Sequence, residues 1–350
     1  MPSARLAAAL ATGLLVALTA CAPPPENPAP AELPTDEAAL VAQAKKEGQV
    51  VLGAGGHTRE QAQLLADGFQ RKYGIPVKFI RETSGDIARK TQAQLTAGAV
   101  DFDVISLNDE STLRAWDAAK ALADPAVPNR VQILSGLVNS SPAPRYLPFT
   151  WSALGYSYNT SRISEASAPK TWADLAARPS TFAVSDPGTS GAALTYLACM
   201  QQIDPGFLPA LKGRRSLVAS SALALTQMLA TGEADFGLPA IESEVANARR
   251  HGEPLAVAYP EGRIGALPSF AAGLAQAKHP AAARLLVRYQ LSEDLQREQA
   301  GQGSRSVLGT VPPPQGAEQL AADRLVMIPA DQVKAQKAEL VRAFKANVGG

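Results

Sequence analysis

The sequence predicts an α/β fold with mostly parallel strands. Short runs of β-branched and other apolar residues alternate with segments whose apolar residues recur at helical spacing. Several of these helical segments end at a glycine, which favours the left-handed conformation of a helix C-terminus. The chain has 350 residues, more than one hydrophobic core usually organises, and we therefore expect two lobes.

The first α/β region starts at residue 49 and alternates strands with helices whose apolar residues lie on one face. The predicted elements are a strand at Gln49–Leu52, a helix at Glu60–Tyr73 ended by Gly74, a strand at Pro76–Ile80, a helix at Ile87–Ala97 ended by Gly98, and a strand at Phe102–Ile105.

A second region follows the proline-bearing segment Ser141–Arg145. The predicted strands are Leu154–Tyr158, Thr181–Val184, Ala234–Leu238 and Pro254–Tyr259. The predicted helices are Ser190–Met200, Ala222–Ala230 and Glu242–Arg250, the last of them ended by Gly252. An apolar run over Phe270–Ala275 and helices near Ala281–Leu291 and Asp331–Ala346 complete the chain.

Residues 1–20 have the features of a secretory signal peptide. A basic residue precedes an apolar run over residues 6–18, shorter than the ~20 residues that cross a bilayer as a helix. Leu18-Thr19-Ala20-Cys21 matches the bacterial lipobox, so we expect Cys21 to carry a lipid anchor. Residues 21–36 are rich in proline and predict an extended spacer. The mature chain is thus expected in the periplasm or at the cell surface, on the outer leaflet of a membrane.

Charge and cysteine content narrow the possible functions. The formal net charge of +1, with both signs interspersed, provides no basic face for nucleic acid. Cys199 is the only cysteine after Cys21, so no disulfide can form within the mature monomer, and we interpret it as a small buried side chain. Ser167–Lys170 has the Ser-x-x-Lys spacing of penicillin-recognising enzymes, but their Ser-Asp-Asn and Lys-Thr-Gly motifs are missing from the sequence. The sequence therefore does not favour an exported serine hydrolase.

The glycine-rich stretch QVVLGAGGHTRE, residues 49–60, places a strand before a turn and a helix. A dinucleotide-binding fingerprint requires a third glycine where Thr58 stands, so this stretch does not predict a nucleotide site. Its glycines can still bring a ligand close to backbone amides, with His57 at the positive end of the next helix.

Two other loops share this design. Thr83–Asp86 and Pro187–Ala192 each place a serine at a predicted N-cap beside a glycine, which leaves amide donors for an anion. Ordinary helix capping is the alternative for each loop. Because ligands of open α/β sheets bind beyond the carboxyl ends of strands, the three loops predict one shared cleft. The predicted ligand-binding residues of these loops are Gly56, His57, Ser84, Ser190, Gly191 and Ala192.

Several segments resemble, in order, the extracellular solute-binding proteins of ABC importers. The first-lobe segments are Glu47–Val51, Phe69–Val77 and Phe102–Ile105, and Gly155–Thr160 is similar to the family's crossover segment. The later segments are Gly232–Gly237, Tyr259–Gly262, Lys278–Ala283 and Leu291–Gln296. The group within that family binds ferric iron, thiamine, polyamines, phosphonates or sugar phosphates.

This resemblance implies a two-lobed type II periplasmic-binding-protein fold with a crossover hinge. Lobe 1 is expected over residues 37–147 and 259–350, and lobe 2 over residues 148–258. We expect a monomeric binding protein without a cofactor, and not an enzyme. The partners that the resemblance implies are a small-molecule ligand and an ABC permease with its ATPase, with membrane contact through the lipid anchor only. A ligand sensor of the same architecture is an alternative.

The resemblance leaves the ligand open. His57 and Thr189–Ala192 are similar to the ferric-iron branch, but the adjacent tyrosine pair of that branch is replaced by Glu242-Ser243. An anionic phosphate- or carboxylate-bearing ligand is favoured, with Trp151 as an apolar wall and Asn108, Asp109 and Glu242 as polar contacts. The alternative is a ferric-iron site made of His57, Asp109 and Glu242, because hard cations prefer anionic oxygen ligands. Polyamines and thiamine-like ligands are further candidates.

Overall fold

The computed structural model describes residues 33–127, Ile133, Leu137 and residues 144–348. The predicted signal peptide, Cys21 and the spacer up to residue 32 lie outside this part. None of the helices within it has both the length and the apolar character needed to cross a membrane.

The described chain alternates strands and helices as predicted. The helices are α1 (Glu37–Glu47), α2 (Arg59–Tyr73), α3 (Ser84–Ala97), α4 (Glu110–Ala118), α5 (Trp172–Ala177), α6 (Gly191–Ile203), α7 (Phe207–Ala210), α8 (Ala222–Ala230), α9 (Glu242–Arg250), α10 (Pro280–Gln290), α11 (Glu293–Gly301) and α12 (Ala330–Asn347). The strands are β1 (Val50–Ala54), β2 (Val77–Arg81), β3 (Val104–Leu107), β4 (Leu147–Leu154), β5 (Tyr156–Asn159), β6 (Phe182–Ser185), β7 (Ser216–Ala219), β8 (Phe236–Leu238), β9 (Leu255–Ala258), β10 (Ile264–Gly273) and β11 (Leu325–Val326).

The strands form two sheets, which confirms the two-lobed α/β prediction. The first has the order β11-β10-β3-β1-β2, with β4 paired to β10, and the second has the order β7-β6-β8-β5-β9. Between β4 and β5 the chain passes from the first sheet to the second, and between β9 and β10 it returns. Helix α12 packs against α6 and α7 as well as α4.

Both sheets are mixed, whereas the sequence predicted mostly parallel strands. In the first sheet β10 runs antiparallel to β3 and β4, and in the second β5 runs antiparallel to β8 and β9. These antiparallel strands are the ones that carry the chain between the sheets or flank that passage. The spacing of apolar residues indicates only which side chains share a face of a strand, so it cannot predict whether neighbouring strands run parallel or antiparallel.

The predicted strand Leu154–Tyr158 is divided in the structure, because Gly155 separates the end of β4 in the first sheet from the start of β5 in the second. A Cβ added at Gly155 would lie 2.2 Å from the carbonyl oxygen of Ala258. The chain crosses between the sheets twice, at residues 154–156 and at residues 258–264, and we call these two segments the passages. Their close approach at Gly155 requires glycine, because any side chain there would collide with the Ala258 carbonyl.

The predicted helix ends are confirmed at three glycines. Gly74, Gly98 and Gly252 have φ of 74°, 69° and 90°, the left-handed conformation that only glycine adopts without strain. Cys199 is a buried free cysteine in α6, and burial raises the pKa of its thiol to about 12. It is a core side chain, as the sequence predicted.

Candidate functional site

The loops that follow β1, β2 and β3 meet in one group of polar residues. The Gly56 amide donates to Ser106 Oγ at 3.1 Å. The Asn108 amide donates to Ser84 Oγ at 3.1 Å, and the Asn108 side chain donates to Ser269 Oγ at 2.7 Å. Four of the predicted ligand-binding residues, Gly56, His57, Ser84 and Asn108, are therefore brought together, although they come from three separate loops.

His57 points into this group and away from solvent. Its side chain is 2% exposed, its ring stacks on Phe149 with centroids 4.1 Å apart, and its Nδ1 lies 2.7 Å from Ser106 Oγ. Burial, and then the charge of Arg81, lower the pKa of His57 to about 3, against a smaller opposing effect of Gln290. The imidazole is therefore neutral near pH 7 and adds no positive charge to an anion site.

Helix capping differs from the prediction in the first lobe. Thr83, and not Ser84, is the N-cap of α3 and accepts from the Asp86 amide. Thr58 caps α2 in a reciprocal capping box with Gln61. The hydroxyl of Ser84 is instead used to hold the Asn108 backbone, because the first helical residue projects toward the end of the neighbouring strand.

The second-lobe loop before α6 places backbone donors at the surface. Ser190 is the N-cap of α6 and accepts from the Ala193 amide at 3.2 Å, as predicted. Gly191 is exposed and Ala192 is half-buried, and their amides belong to the first helical turn, which has no intrahelical acceptors for them. The Asp186 carboxylate accepts from the Gly188 amide at 2.7 Å and orders the start of the loop.

Asp109 caps a helix of its own. It is the N-cap of α4, where Oδ1 accepts from the Ser111 amide at 3.0 Å and Oδ2 accepts from the Thr112 hydroxyl at 2.8 Å. Both carboxylate oxygens are thus used locally.

Glu242 and Trp151 lie together in a buried polar cluster. Arg305 Nε is 2.9 Å from both carboxylate oxygens of Glu242, and the two side chains are 3% and 4% exposed. The Ala153 amide donates to Glu242 Oε2 at 3.0 Å and the Tyr259 hydroxyl donates to Oε1. Burial raises the pKa of Glu242, and Arg305 is the largest influence against that rise. Arg305, the Tyr259 hydroxyl and the Ala153 amide together offset part of the effect of burial on the pKa of this carboxyl.

Two aromatic rings enclose the arginine of this cluster. Its guanidinium carbon lies 5.0 Å from the Trp151 ring centroid and 5.2 Å from that of Tyr259. The Trp151 indole N–H donates to the Ser306 carbonyl at 2.9 Å. Sequence reasoning did not identify Arg305. The sequence could have indicated Arg305 in one way. It is a single arginine within the run of small residues Gly303–Ser306, and such runs are typical of tightly packed segments.

The candidate iron ligands do not converge. His57 lies with Ser106, Asp109 caps α4, and Glu242 is paired with Arg305. In the part of the chain that the structure describes, no three His, Cys, Asp or Glu residues form a group able to hold a metal ion.

Ser167 and the backbone of Lys170 make structural hydrogen bonds. The Ser167 hydroxyl donates to the Ser164 carbonyl at 3.0 Å and lies 2.9 Å from the Ser164 hydroxyl. The Lys170 carbonyl accepts from the Glu261 amide at 2.7 Å.

The comparisons with known proteins agree with this architecture. The family model described as bacterial extracellular solute-binding protein matches residues 50–305. A comparison with curated proteins found no match.

Solved structures of periplasmic binding proteins share the fold. Iron-bound HitA from Pseudomonas aeruginosa is 22% identical, with a TM-score of 0.70 over 85% of this chain and 99% of its own. AfuA from Actinobacillus pleuropneumoniae, with fructose-6-phosphate bound, is 21% identical, with a TM-score of 0.71 over 86% of this chain and 99% of its own. A periplasmic thiamin-binding protein is 16% identical, with a TM-score of 0.63 over 85% of this chain and 95% of its own.

Proposed function

Because this chain belongs to the bacterial extracellular solute-binding proteins, we propose that it captures a small organic anion between its two lobes and presents it to an ABC permease. The ligand carries a phosphate or a carboxylate. Its binding shifts an equilibrium between open and closed arrangements of the lobes by its differential affinity for the closed one.

The observation that carries this proposal is the loop before α6. Ser190 fixes the first turn of that helix, and the amides of Gly191 and Ala192 follow at the positive end of the helix dipole. The polar group of Gly56, Ser84 and Asn108 supplies neutral hydrogen-bonding atoms from the first lobe. AfuA, which has a sugar phosphate bound, shares the fold.

Ferric iron is the second candidate, and HitA in its iron-bound form favours it. The side-chain chemistry of this chain favours the organic anion. Hard ferric ion needs several anionic oxygens, whereas the Glu242 carboxylate is neutralised by Arg305 and the Asp109 oxygens cap α4.

A thermal-shift screen tests the ligand class directly. Sugar phosphates, phosphonates and dicarboxylates are expected to raise the melting temperature. Thiamine and polyamines are expected to leave it unchanged, and ferric citrate is expected to raise it no more than citrate alone does. Stabilisation by a ferric complex alone would overturn the organic-anion proposal and support the iron alternative.

Ser190→Asp tests the role of the α6 loop. Aspartate is also a good N-cap, so the helix is retained, while the new charge repels a bound anion. We expect the anion-induced thermal shift to be lost in this variant and retained in Ser292→Asp, which changes the N-cap of α11. Equal shifts in both variants would exclude the α6 loop from the site.

The lobe bounds are proposed with the function. Strands of the first sheet come from residues 50–154 and 264–326, and strands of the second come from residues 156–258. These memberships support a lobe 2 over residues 156–258, flanked by the two parts of lobe 1. Residues 148–154, which we expected in lobe 2, belong to β4 and pair with β10 of the first sheet.

A further inference from the structure

Glu242 lies where segments from both sheets meet. It begins α9, which packs against α8 and β9 of the second sheet. Its carboxylate accepts from the Ala153 amide in β4, a strand of the first sheet. It also accepts from Tyr259, which follows β9 on the return passage. One side chain therefore holds both passages between the sheets.

Arg305 is anchored on the side of the first sheet. Its carbonyl accepts from the Trp151 amide at 3.3 Å and from the Thr150 hydroxyl at 2.9 Å, and both residues belong to β4. The preceding Ser304 accepts from Gln61 of α2. The Glu242–Arg305 ion pair thus joins the second-sheet side of the molecule to the first-sheet side.

The backbone around this pair is packed too closely for side chains. A Cβ at Gly155 would lie 2.2 Å from the Ala258 carbonyl oxygen, and a Cβ at Gly303 would lie 2.3 Å from the Ala246 Cβ. The Ala240 amide donates to the Gly155 carbonyl at 3.0 Å. The passages therefore meet in one small region, and the ion pair lies inside it.

We propose that the Glu242–Arg305 ion pair is the pivot of the hinge and sets the angle between the two lobes. A buried ion pair adds little net stability compared with an apolar replacement, but it is directional, and losing one partner leaves an uncompensated buried charge. Two charges held at 3% and 4% exposure tolerate only a narrow range of relative positions. The proposal rests on the two-lobed fold and not on the identity of the ligand.

The test compares Glu242→Gln and Arg305→Met with the wild-type protein, without any ligand. Small-angle X-ray scattering is expected to give a larger radius of gyration and a broader distance distribution for both variants. Hydrogen exchange is expected to speed up roughly tenfold or more at residues 153–156 and 258–259, because the Ala153 amide and the Tyr259 side chain lose the carboxylate that holds them in place. The cores of the two lobes should keep their protection.

A similar carboxylate within one lobe provides the control. Asp235 accepts from the Thr181 amide at 2.9 Å and is paired with Arg162 at 2.7 Å, so it bonds a backbone amide and an arginine as Glu242 does. Asp235→Asn is expected to lower the melting temperature and speed exchange near Thr181, while the radius of gyration stays at the wild-type value.

The double variant Glu242→Gln/Arg305→Met covers the case in which a single variant fails to fold. It leaves no unpaired buried charge and is expected to recover thermal stability relative to the single variants. The larger radius of gyration and the faster exchange at the passages should persist. Wild-type scattering and wild-type exchange at the passages in the double variant would overturn the proposal and leave the pair a packing feature only.

Discussion

At the scale of single residues, His57 shows how a loop residue becomes part of a core. It follows the glycine turn after β1, where the sequence predicted a ligand-binding residue at the start of a helix. In the folded chain, Phe149 covers one face of its ring and Ser106 bonds its Nδ1. Both partners are far from His57 in sequence, so no local pattern could indicate this burial.

The lowered pKa of His57 predicts a pH-dependent stability. The unfolded imidazole takes up a proton as the pH falls through 6.5, whereas the folded one does so only near a pKa of about 3. The contribution of His57 to the free energy of unfolding is therefore complete above pH 6.5 and is lost as the pH falls toward 3. We expect this side chain to account for a loss of roughly 2 kcal/mol between pH 7 and pH 5.

Urea unfolding at the two pH values measures that loss. His57→Phe keeps a ring against Phe149 but has no proton to bind, so its stability should fall by less than that of the wild type over the same interval. An identical decrease in both proteins would mean that the imidazole titrates normally and is not buried.

At the scale of elements, the local sequence was sufficient to predict most of the helices. The predicted α8 and α9 agree with the observed bounds of Ala222–Ala230 and Glu242–Arg250, because apolar spacing and capping act over one or two turns. The elements that the sequence did not predict are α1, α4, α5, α7, α11, β4, β7 and β11. In particular, β4 is a long strand of the first sheet, buried along most of its length, so it lacks the alternation that marks a half-buried strand.

Gly55 predicts a strong requirement for glycine between β1 and α2. A Cβ there would lie 2.8 Å from the Ser106 carbonyl oxygen and 2.9 Å from Ser84 Cα, and backbone atoms cannot move aside cheaply. Gly55→Ala is expected to destabilise the protein by roughly 1–3 kcal/mol in urea unfolding. It should also loosen the contact between Ser84 and Asn108 that helps to form the first-lobe polar group.

Gly85→Ala is the matched control, because it lies in the first turn of α3 with no atom within 4 Å of the added Cβ. Alanine favours the helix there by up to about 1 kcal/mol. If Gly55→Ala proves as stable as Gly85→Ala, the close approach of the three loops is not required for stability.

At the scale of the whole molecule, the proposed lipid anchor decides where the binding protein works. The described residues contain no helix suited to cross a membrane, and the anchor residue Cys21 lies outside them. Cys21→Ser is expected to release the protein from the membrane fraction into the soluble exported fraction and to abolish labelling by a radioactive fatty acid. A variant that remains in the membrane fraction would contradict the proposed anchor.

The sequence by itself determined the α/β class, most element positions, the glycine helix ends and the order of motifs that indicated the family. These features depend on residue propensities and on spacings within a few residues, so they can be recognised without knowing the folded structure. It did not determine which polar side chains meet, and the ligand residues and lobe bounds remain predictions.

Tertiary structure alone decided the polar partnerships. Glu242 and Arg305 are 63 positions apart in sequence and His57 and Ser106 are 49 apart, yet each pair shares one buried environment. A buried polar group is stabilised by a hydrogen-bond partner. Which residue becomes that partner depends on how the two sheets pack, and not on the local sequence. For this reason a glutamate that the sequence offered as a ligand lies at the junction of the two lobes, paired with an arginine.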